Sequence, residues 1–283
     1  MAQKTAERLR KILNKSVAYI ILGLWTLFLV YAFGWVLASS FSTTREIFTG
    51  KLLASGIHLN NYVSVLTTNH LALYFKNSLI YCFISCLGVL VLATPASYAL
   101  SRANFRGRKF VTGIFVAGMG IPTMMTFIPL FMMFTRLGLI KSFAGLLIVY
   151  ICGAIPFSVF FLSGFFTSLP TELEEAAIMD GATTFQAFRL IMIPLAQGAL
   201  VTLTVFNFLN FWGEYFWALI MVNNDNYRTL QIGLQTVIRS MLNQGNYAGI
   251  FSGIIIVFIP TLVLYIFLAE KIVSNITAGA IKT

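Results

Sequence analysis

Six apolar runs punctuate this chain, roughly Val17 to Ala38, Tyr74 to Ala99, Phe110 to Phe134, Phe143 to Phe166, Leu195 to Val222 and Tyr247 to Ala269. A hydrocarbon core of ~30 Å takes about 20 residues of α-helix to cross, so each run predicts one span. The expected fold is therefore all-α, a polytopic membrane protein with six transmembrane helices. Pro122 and Pro129 interrupt the third run, Pro156 the fourth and Pro260 the sixth, each removing a backbone donor and favouring a local bend. The segment from Ser39 to Leu73 is long and polar, with Asn60-Asn61-Tyr62 and Thr67-Thr68-Asn69 between helix-compatible pieces, whereas Arg136 to Ser142 is minimal. Another connection opens on the turn-forming cluster Asn223-Asn224-Asp225-Asn226. It continues with Leu230, Ile232, Leu234, Val237, Ile238, Met241 and Leu242, the spacing of an amphipathic helix.

Composition agrees with that pattern. Hydrophobic residues make up 58% of the chain and charged ones 10%, against roughly 45–50% and 25% in soluble domains. Most of the surface is built for lipid or for other membrane helices. The net charge of +10 is distributed among short loops, which marks topology and argues against a nucleic-acid surface. With the N-terminus inside, Lys4, Arg8, Arg10, Lys11, Lys15, Arg102, Arg106, Arg108, Lys109, Arg189, Lys271 and Lys282 are cytoplasmic. Only Arg45, Lys51, Arg136, Lys141, Arg228 and Arg239 are then external, with Lys76 at the outer edge of the second span. Both termini are expected in the cytoplasm. The economical organisation is a six-span domain over 17–269, between cytoplasmic segments 1–16 and 270–283. The long first run and the lack of a small-x-small cleavage site favour a retained span over a signal peptide.

One polar segment stands apart. Of nine acidic residues, Glu172, Glu174, Glu175 and Asp180 fall within nine positions between the fourth and fifth runs. Such a concentration predicts a docking surface for a basic partner. The segment 167–194 reads as two short helices: Thr171-x-x-Glu174 and Thr183-x-x-Gln186 are capping-box patterns, and Gly181 suits a left-handed helix end between them. Ala176 and Ala177 leave room for close approach, and Pro194 closes the second helix. A solvated acidic loop is the plainer alternative.

Within the fifth run, Asn207, Asn210 and Glu214 recur at helical offsets that would place them on one face. Aromatic neighbours Phe211, Trp212, Tyr215, Phe216 and Trp217 surround Glu214. Two readings stay open: a hydrated route for a hydroxyl-rich solute, or hydrogen-bond glue between helices with an aromatic belt. Cys82, Cys86 and Cys152 have the spacing of apolar packing, without a disulfide or metal ligand set. No catalytic cluster is expected. Gly50-Lys51-Leu52 lacks what a phosphate-cradling loop needs, so any ATP must be hydrolysed elsewhere.

The spacing Glu175-Ala176-Ala177, three residues, Gly181, nine residues, Ile191, one residue, Ile193-Pro194 resembles the cytoplasmic coupling motif of permease subunits in bacterial ATP-binding-cassette importers. Ile193 stands where leucine is usual. Asp180, Ala182 and Phe188 extend the likeness to the carbohydrate branch, particularly the smaller permease of maltose-type systems. Further matches are Asn77-Ser78, Ser97-Tyr98-Ala99-Leu100-Ser101-Arg102 with Phe105-Arg106-Gly107, and Ala278-Gly279-Ala280-x-Lys282. Gly198 departs from a proline common in relatives.

The resemblance implies a transport subunit rather than an enzyme, in a bacterial cell membrane, moving a sugar by alternating access. Its expected partners are a second, homologous permease, two ATPase subunits that hold ATP and Mg, an extracytoplasmic solute-binding protein, sugar and lipid. Glu172, Leu173, Glu174, Glu175, Ala176, Ala177, Ile178, Asp180, Gly181, Ala182, Phe188 and Pro194 would form the ATPase-coupling surface. A permease for a polyol or glycerol phosphate is the nearer alternative, and an ion-coupled transporter the more distant.

Overall fold

The computed structural model describes residues 2–222 and 224–280. Met1, Asn223, Ile281, Lys282 and Thr283 lie outside the described residues, and with them the expected placement of both chain ends, the first residue of the 223–226 turn cluster and the Lys282 match.

In chain order the helices are α1 (Ala2–Phe41), α2 (Thr44–Thr49), α3 (Asn60–Thr67), α4 (Leu71–Arg102), α5 (Arg108–Met119), α6 (Thr123–Arg136) and α7 (Phe143–Ser168). There follow α8 (Glu172–Met179), α9 (Thr184–Ala187), a π-helical turn over Phe188–Met192, α10 (Ile193–Leu195), α11 (Gln197–Gly213) and α12 (Phe216–Met221). A 3₁₀ turn at Asp225–Tyr227, α13 (Leu230–Asn243) and α14 (Tyr247–Ala280) complete the order, with no strand among the described residues.

Four stretches are long and apolar enough to cross a membrane singly: Lys15–Phe41, Leu71–Arg102, Phe143–Ser168 and Tyr247–Phe267. Two bent pairs, each counted as one span, bring the number to the expected six. The third span breaks at Gly120 to Pro122, where α5 and α6 diverge by 101°. Pro122 has no N–H and an extended backbone (ψ 130°), so α5 cannot run through it. Pro129, Pro156 and Pro260 instead lie inside unbroken helices. The fifth run is not the single helix Leu195 to Val222 that its hydropathy predicts. Its helix turns by 71° between Leu195 and Gln197 and ends at Gly213, before the short α12.

The chain forms two compact units, one the chain up to Asn69 with Thr236–Ile256, the other His70–Gln235 with the chain from Val257 onward. In the first, the long polar connection is ordered by its own side chains. Thr43 and Glu46 make a complete capping box on α2, and Gly50 ends it in the left-handed region. Glu46 also accepts hydrogen bonds from the backbone N–H (2.5 Å) and hydroxyl (2.7 Å) of Ser55, whose hydroxyl lies 2.8 Å from His58 Nε2. Asn61 Nδ2 donates to the carbonyls of Ser40 and Ser42 at the end of α1, and Tyr62 Oη lies 2.6 Å from Ser40 Oγ.

In the second unit α4 packs along α7: a Cβ on Gly88 would stand 2.7 Å from Ile151 Cδ1, Ser163 Oγ donates to Ser97 O at 3.4 Å, and Tyr81 and Tyr98 pack on Phe143 and Phe166. Small residues let membrane helices approach closely where no hydrophobic force drives them together. Ser97 and Ser158 donate back to carbonyls of their own helices, Ala93 and Ala154. At the start of α4, Asn77 Nδ2 donates to the carbonyls of Asn226 (2.9 Å) and Arg228 (3.0 Å), and Ser78 Oγ accepts from Leu230 N–H. These bonds seat the start of α13, where Leu230 and Ile232 are buried. A Cβ on Gly233 would stand 2.1 Å from Tyr74 Cδ2, so only glycine allows this approach.

Two outcomes follow from these contacts. Gly233→Ala should destabilise the purified protein by about 1–3 kcal/mol through overpacking; Gly153→Ala, where a Cβ meets open space, should not, and thermal unfolding of both compares them. Glu46 has its pKa lowered from 4.5 to about 2, chiefly by the Thr43 N–H it accepts and then by Ser55. A depressed carboxylate pKa contributes stability above the unfolded value that is lost as pH falls through the folded one. Hydrogen exchange at the Thr43 and Ser55 amides, corrected for intrinsic rates, should therefore stay slow down to pH 4.5 and rise progressively toward pH 2.

Candidate functional site

The acidic segment is two helices and a clamp. Pro170 and Thr171 lead into α8, whose first turn carries Glu172, Glu174 and Glu175 near the positive end of the helix dipole. Its end is a complete Schellman motif: Gly181 N–H donates to Ile178 O and Ala182 N–H to Ala177 O, both at 3.0 Å, with Gly181 at φ +88°. The second capping box forms as expected, since Thr183 Oγ1 accepts from Gln186 N–H and Gln186 Oε1 from Thr183 N–H.

The first capping box does not form, for a reason that matters to the site. Thr171 already has helical dihedrals (φ −73°, ψ −28°) and makes no side-chain cap. Glu174 turns away from it, accepting a hydrogen bond from Tyr98 Oη and pairing with Arg102 Nε at 3.8 Å. Side chains of Arg102 and Glu174 are only 8% and 14% exposed. The same arginine donates from Nη2 to the carbonyls of Phe166 (2.7 Å) and Leu169 (2.6 Å) at the end of α7. One guanidinium thus joins α4, α7 and α8.

Beneath the clamp, Tyr98, Leu162, Phe166, Phe188, Met192, Ala196, Ala199 and Leu203 form a buried cluster. Phe188 packs on Tyr98 at 4.7 Å between ring centroids. Pro194 shapes the chain here by what it lacks: with no N–H at that position, the preceding turn widens to a π-helix in which Ile193 N–H reaches Phe188 O. Pro194 lies inside the short α10, and the chain bends after it, at Ala196.

The expected coupling residues therefore divide by position. Glu172, Leu173, Glu175, Ala176, Asp180, Gly181 and Pro194 are exposed, Ala182 is half-buried, and Ala177, Glu174 and Phe188 face inward. Met179 (86% exposed) and Phe185 (67%) also stand on the outer surface with Ile178. Met179 carried no sequence signal beyond its place in the run, and Tyr98 and Arg102 were visible as a motif without any sign that they touch Glu174.

Asn207, Asn210 and Glu214 do not share one helical face. Asn207 is buried and donates to Ser158 Oγ at 3.3 Å, a bond between α11 and α7; Asn210 is exposed. Glu214 lies beyond the last turn of α11, in extended backbone (ψ 127°). Its carboxylate accepts from Trp217 N–H (2.6 Å), Ala218 N–H (3.0 Å) and Tyr150 Oη (2.9 Å). The ring of Tyr150 stacks on Phe211, 5.1 Å apart and nearly parallel. Glu214 therefore caps the start of α12 and ties the break to α7. Among the described residues no group of three or more His, Cys, Asp or Glu side chains is arranged to hold a metal ion.

Known proteins resemble this chain over most of its length. Residues 86–276 match the model of a family described as the binding-protein-dependent transport system inner membrane component. A diacetylchitobiose uptake system permease protein of Streptomyces coelicolor is 29% identical over 268 residues, 94% of this chain and 89% of that one. A trehalose transport system permease protein of Mycobacterium tuberculosis is 30% identical over 88% of this chain and 90% of its own length. A chain in the crystal structure of a bacterial ABC transporter involved in import of the acidic polysaccharide alginate superposes with a TM-score of 0.80 at 27% identity, covering 94% of this chain and 97% of that chain.

Removing one partner of a buried ion pair costs roughly 3–5 kcal/mol, because the other charge is left uncompensated. Arg102→Ala should loosen α8 from α4 and α7, raising amide exchange across Glu172–Met179 by roughly 100- to 1,000-fold or more. Glu172→Ala, at an exposed position, should leave that exchange unchanged.

Proposed function

The chain belongs to the binding-protein-dependent transport system inner membrane component family, a multi-pass permease of the cell membrane that works with other ABC components, and on that premise we propose that its cargo is a sugar or oligosaccharide. The named systems of its relatives support that class: diacetylchitobiose and trehalose uptake, and alginate import. The proposed complex contains a second, homologous permease, two ATPase subunits holding ATP and Mg, and an extracytoplasmic solute-binding protein.

The observation that carries the coupling role is the exposed face of α8. Leu173, Ile178 and Met179 present apolar surface, Ala176 adds a small flat step, and Glu172, Glu175 and Asp180 supply charge. A short helix with apolar contacts and charges that set its register suits insertion into a groove of the ATPase. Because Arg102 fixes α8 to α4 and α7, movement of that groove is carried to two spans as a rigid body, which is what alternating access requires. In this reading Glu174 and Phe188 hold the lever, and the outer residues receive the force. Asn207 and Glu214 join helices; Asn210 remains the candidate for contact with cargo.

Truncating an interfacial anchor removes roughly 2 kcal/mol of binding energy or more, about a 30-fold weakening. Met179→Asp and Gly181→Val, and Glu175→Lys to a lesser degree, should stop ATP-driven uptake while the permease still inserts. Proteoliposomes holding the partner subunits, assayed with and without ATP against a panel of disaccharides, polyols and glycerol phosphate, test both parts. Uptake of a polyol or glycerol phosphate and of no sugar refutes the cargo; wild-type ATPase affinity and uptake in the α8 variants refute the coupling role.

A further inference from the structure

A groove of about 1160 Å³ opens between the start of α5 and the end of α7. It exceeds the ~300–1,000 Å³ of ordinary small-molecule pockets, and its lining is graded along its length. Arg108, Lys109 and Asn104 stand at the end where α5 begins, together with Thr167 near the end of α7. One turn further along lie Thr112 on α5 and Ser163 with Gly164 on α7. Phe160 and Phe161 lie a further turn along α7. The distribution of Lys and Arg along the chain places the Arg108 end on the cytoplasmic side, so the cations stand at the membrane surface, beside Phe105 and Phe110, and no further cation lines the groove with depth, where Phe160 and Phe161 lie.

We propose that this groove holds one anionic phospholipid of the cytoplasmic leaflet, its phosphate at Lys109 and the side-chain amide of Asn104 and an acyl chain along Phe160 and Phe161. The hydroxyls of Thr112, Ser163 and Thr167 already donate to the carbonyls of Arg108, Ser97 and Ser163. The charge balance favours an anion. Arg106, Arg108 and Lys109 occur with no carboxylate between Arg102 and Lys109, and Glu174, the acidic residue paired to that end of α4, is already matched by Arg102. Arg108 is held in place by donating from Nη2 to the Ser101 carbonyl at 3.0 Å, while Lys109 is exposed. Cations at the membrane surface with an apolar wall continuing below them match a phospholipid's headgroup and acyl chain, and a soluble anion would not require that wall. Two lining residues, Leu100 and Asn104, lie two positions either side of Arg102, the arginine that clamps α8. This inference rests on the membrane topology and is independent of the cargo.

Native mass spectrometry of the full-length permease, delipidated and then titrated with phosphatidylglycerol or phosphatidylcholine, tests it. One phosphatidylglycerol should bind in preference to phosphatidylcholine. Lys109→Gln should weaken that binding about five-fold, the ~1 kcal/mol a lysine near an anionic surface contributes. Gly164→Leu should abolish it with thermal unfolding unchanged, because a Cβ there meets nothing within 4 Å and the side chain would fill the groove. Equal binding of the two lipids, or wild-type affinity in both variants, overturns the proposal. So does displacement of phosphatidylglycerol by equimolar inorganic phosphate, which marks a simple anion site. Expulsion of the lipid on assembling the complex, with Lys109 protected from acylation, assigns the groove to a partner protein and overturns it equally.

Discussion

Arg102 is the interaction on which the placement of α8 depends. A helix ends with four carbonyls that have no intrahelical partner, and a cation there satisfies them and complements the dipole. Arg102 does this for α7 through Phe166 and Leu169, although it belongs to α4. Its remaining face meets Glu174 of α8. Three helix ends thus depend on one planar group, and a lysine, with a single charged nitrogen, could not reproduce that geometry. The aromatic cluster of Tyr98, Phe166 and Phe188 lies directly below, so the polar clamp is backed by packing rather than left in solvent.

The same demand for satisfied backbone explains the broken spans. In hydrocarbon an unpaired N–H costs several kcal/mol, so a helix can stop inside the membrane only where something else accepts its donors. At the fifth span that acceptor is Glu214, which takes two N–H groups of α12 and the Tyr150 hydroxyl. A carboxylate in a span looks from sequence like a solute or ion ligand. Its three donors here are all internal, and they make it the element that permits the break.

The legible and illegible parts of this protein divide along a physical line. Spans were readable because hydropathy over about 20 residues integrates many weak preferences. The Gly181 stop and the Thr183 capping box were readable because their partners lie within six residues of sequence. The Thr171 box was misread because a tertiary bond outbid a local one: Glu174 found Tyr98 and Arg102, more than seventy residues earlier. Asn207, Asn210 and Glu214 looked coaxial only if α11 ran on, and periodicity contains no sign of where a helix ends when its cap is the very residue being placed. Asn77-Ser78 was visible as a motif, but its role in seating α13 depends on contacts about 150 residues away.

Exposure also means different things along this chain. Apolar side chains at the surface of α4 or α7 face lipid, and their exposure carries no information about partners. Leu173, Ile178 and Met179 lie on α8, a segment too short to cross a bilayer, beside three exposed acidic residues. An apolar surface outside the membrane persists at the expense of solubility unless another protein covers it, and the surface here is carried on a helix anchored at its N-terminal turn by Glu174 and terminated by a glycine that fixes its length. A mobile patch would bind without transmitting displacement; a rigid one transmits displacement only if its anchor outlasts the load. The Arg102–Glu174 pair, with the Tyr98 hydroxyl, supplies that anchor, and it lies on the side of α8 turned away from the proposed partner.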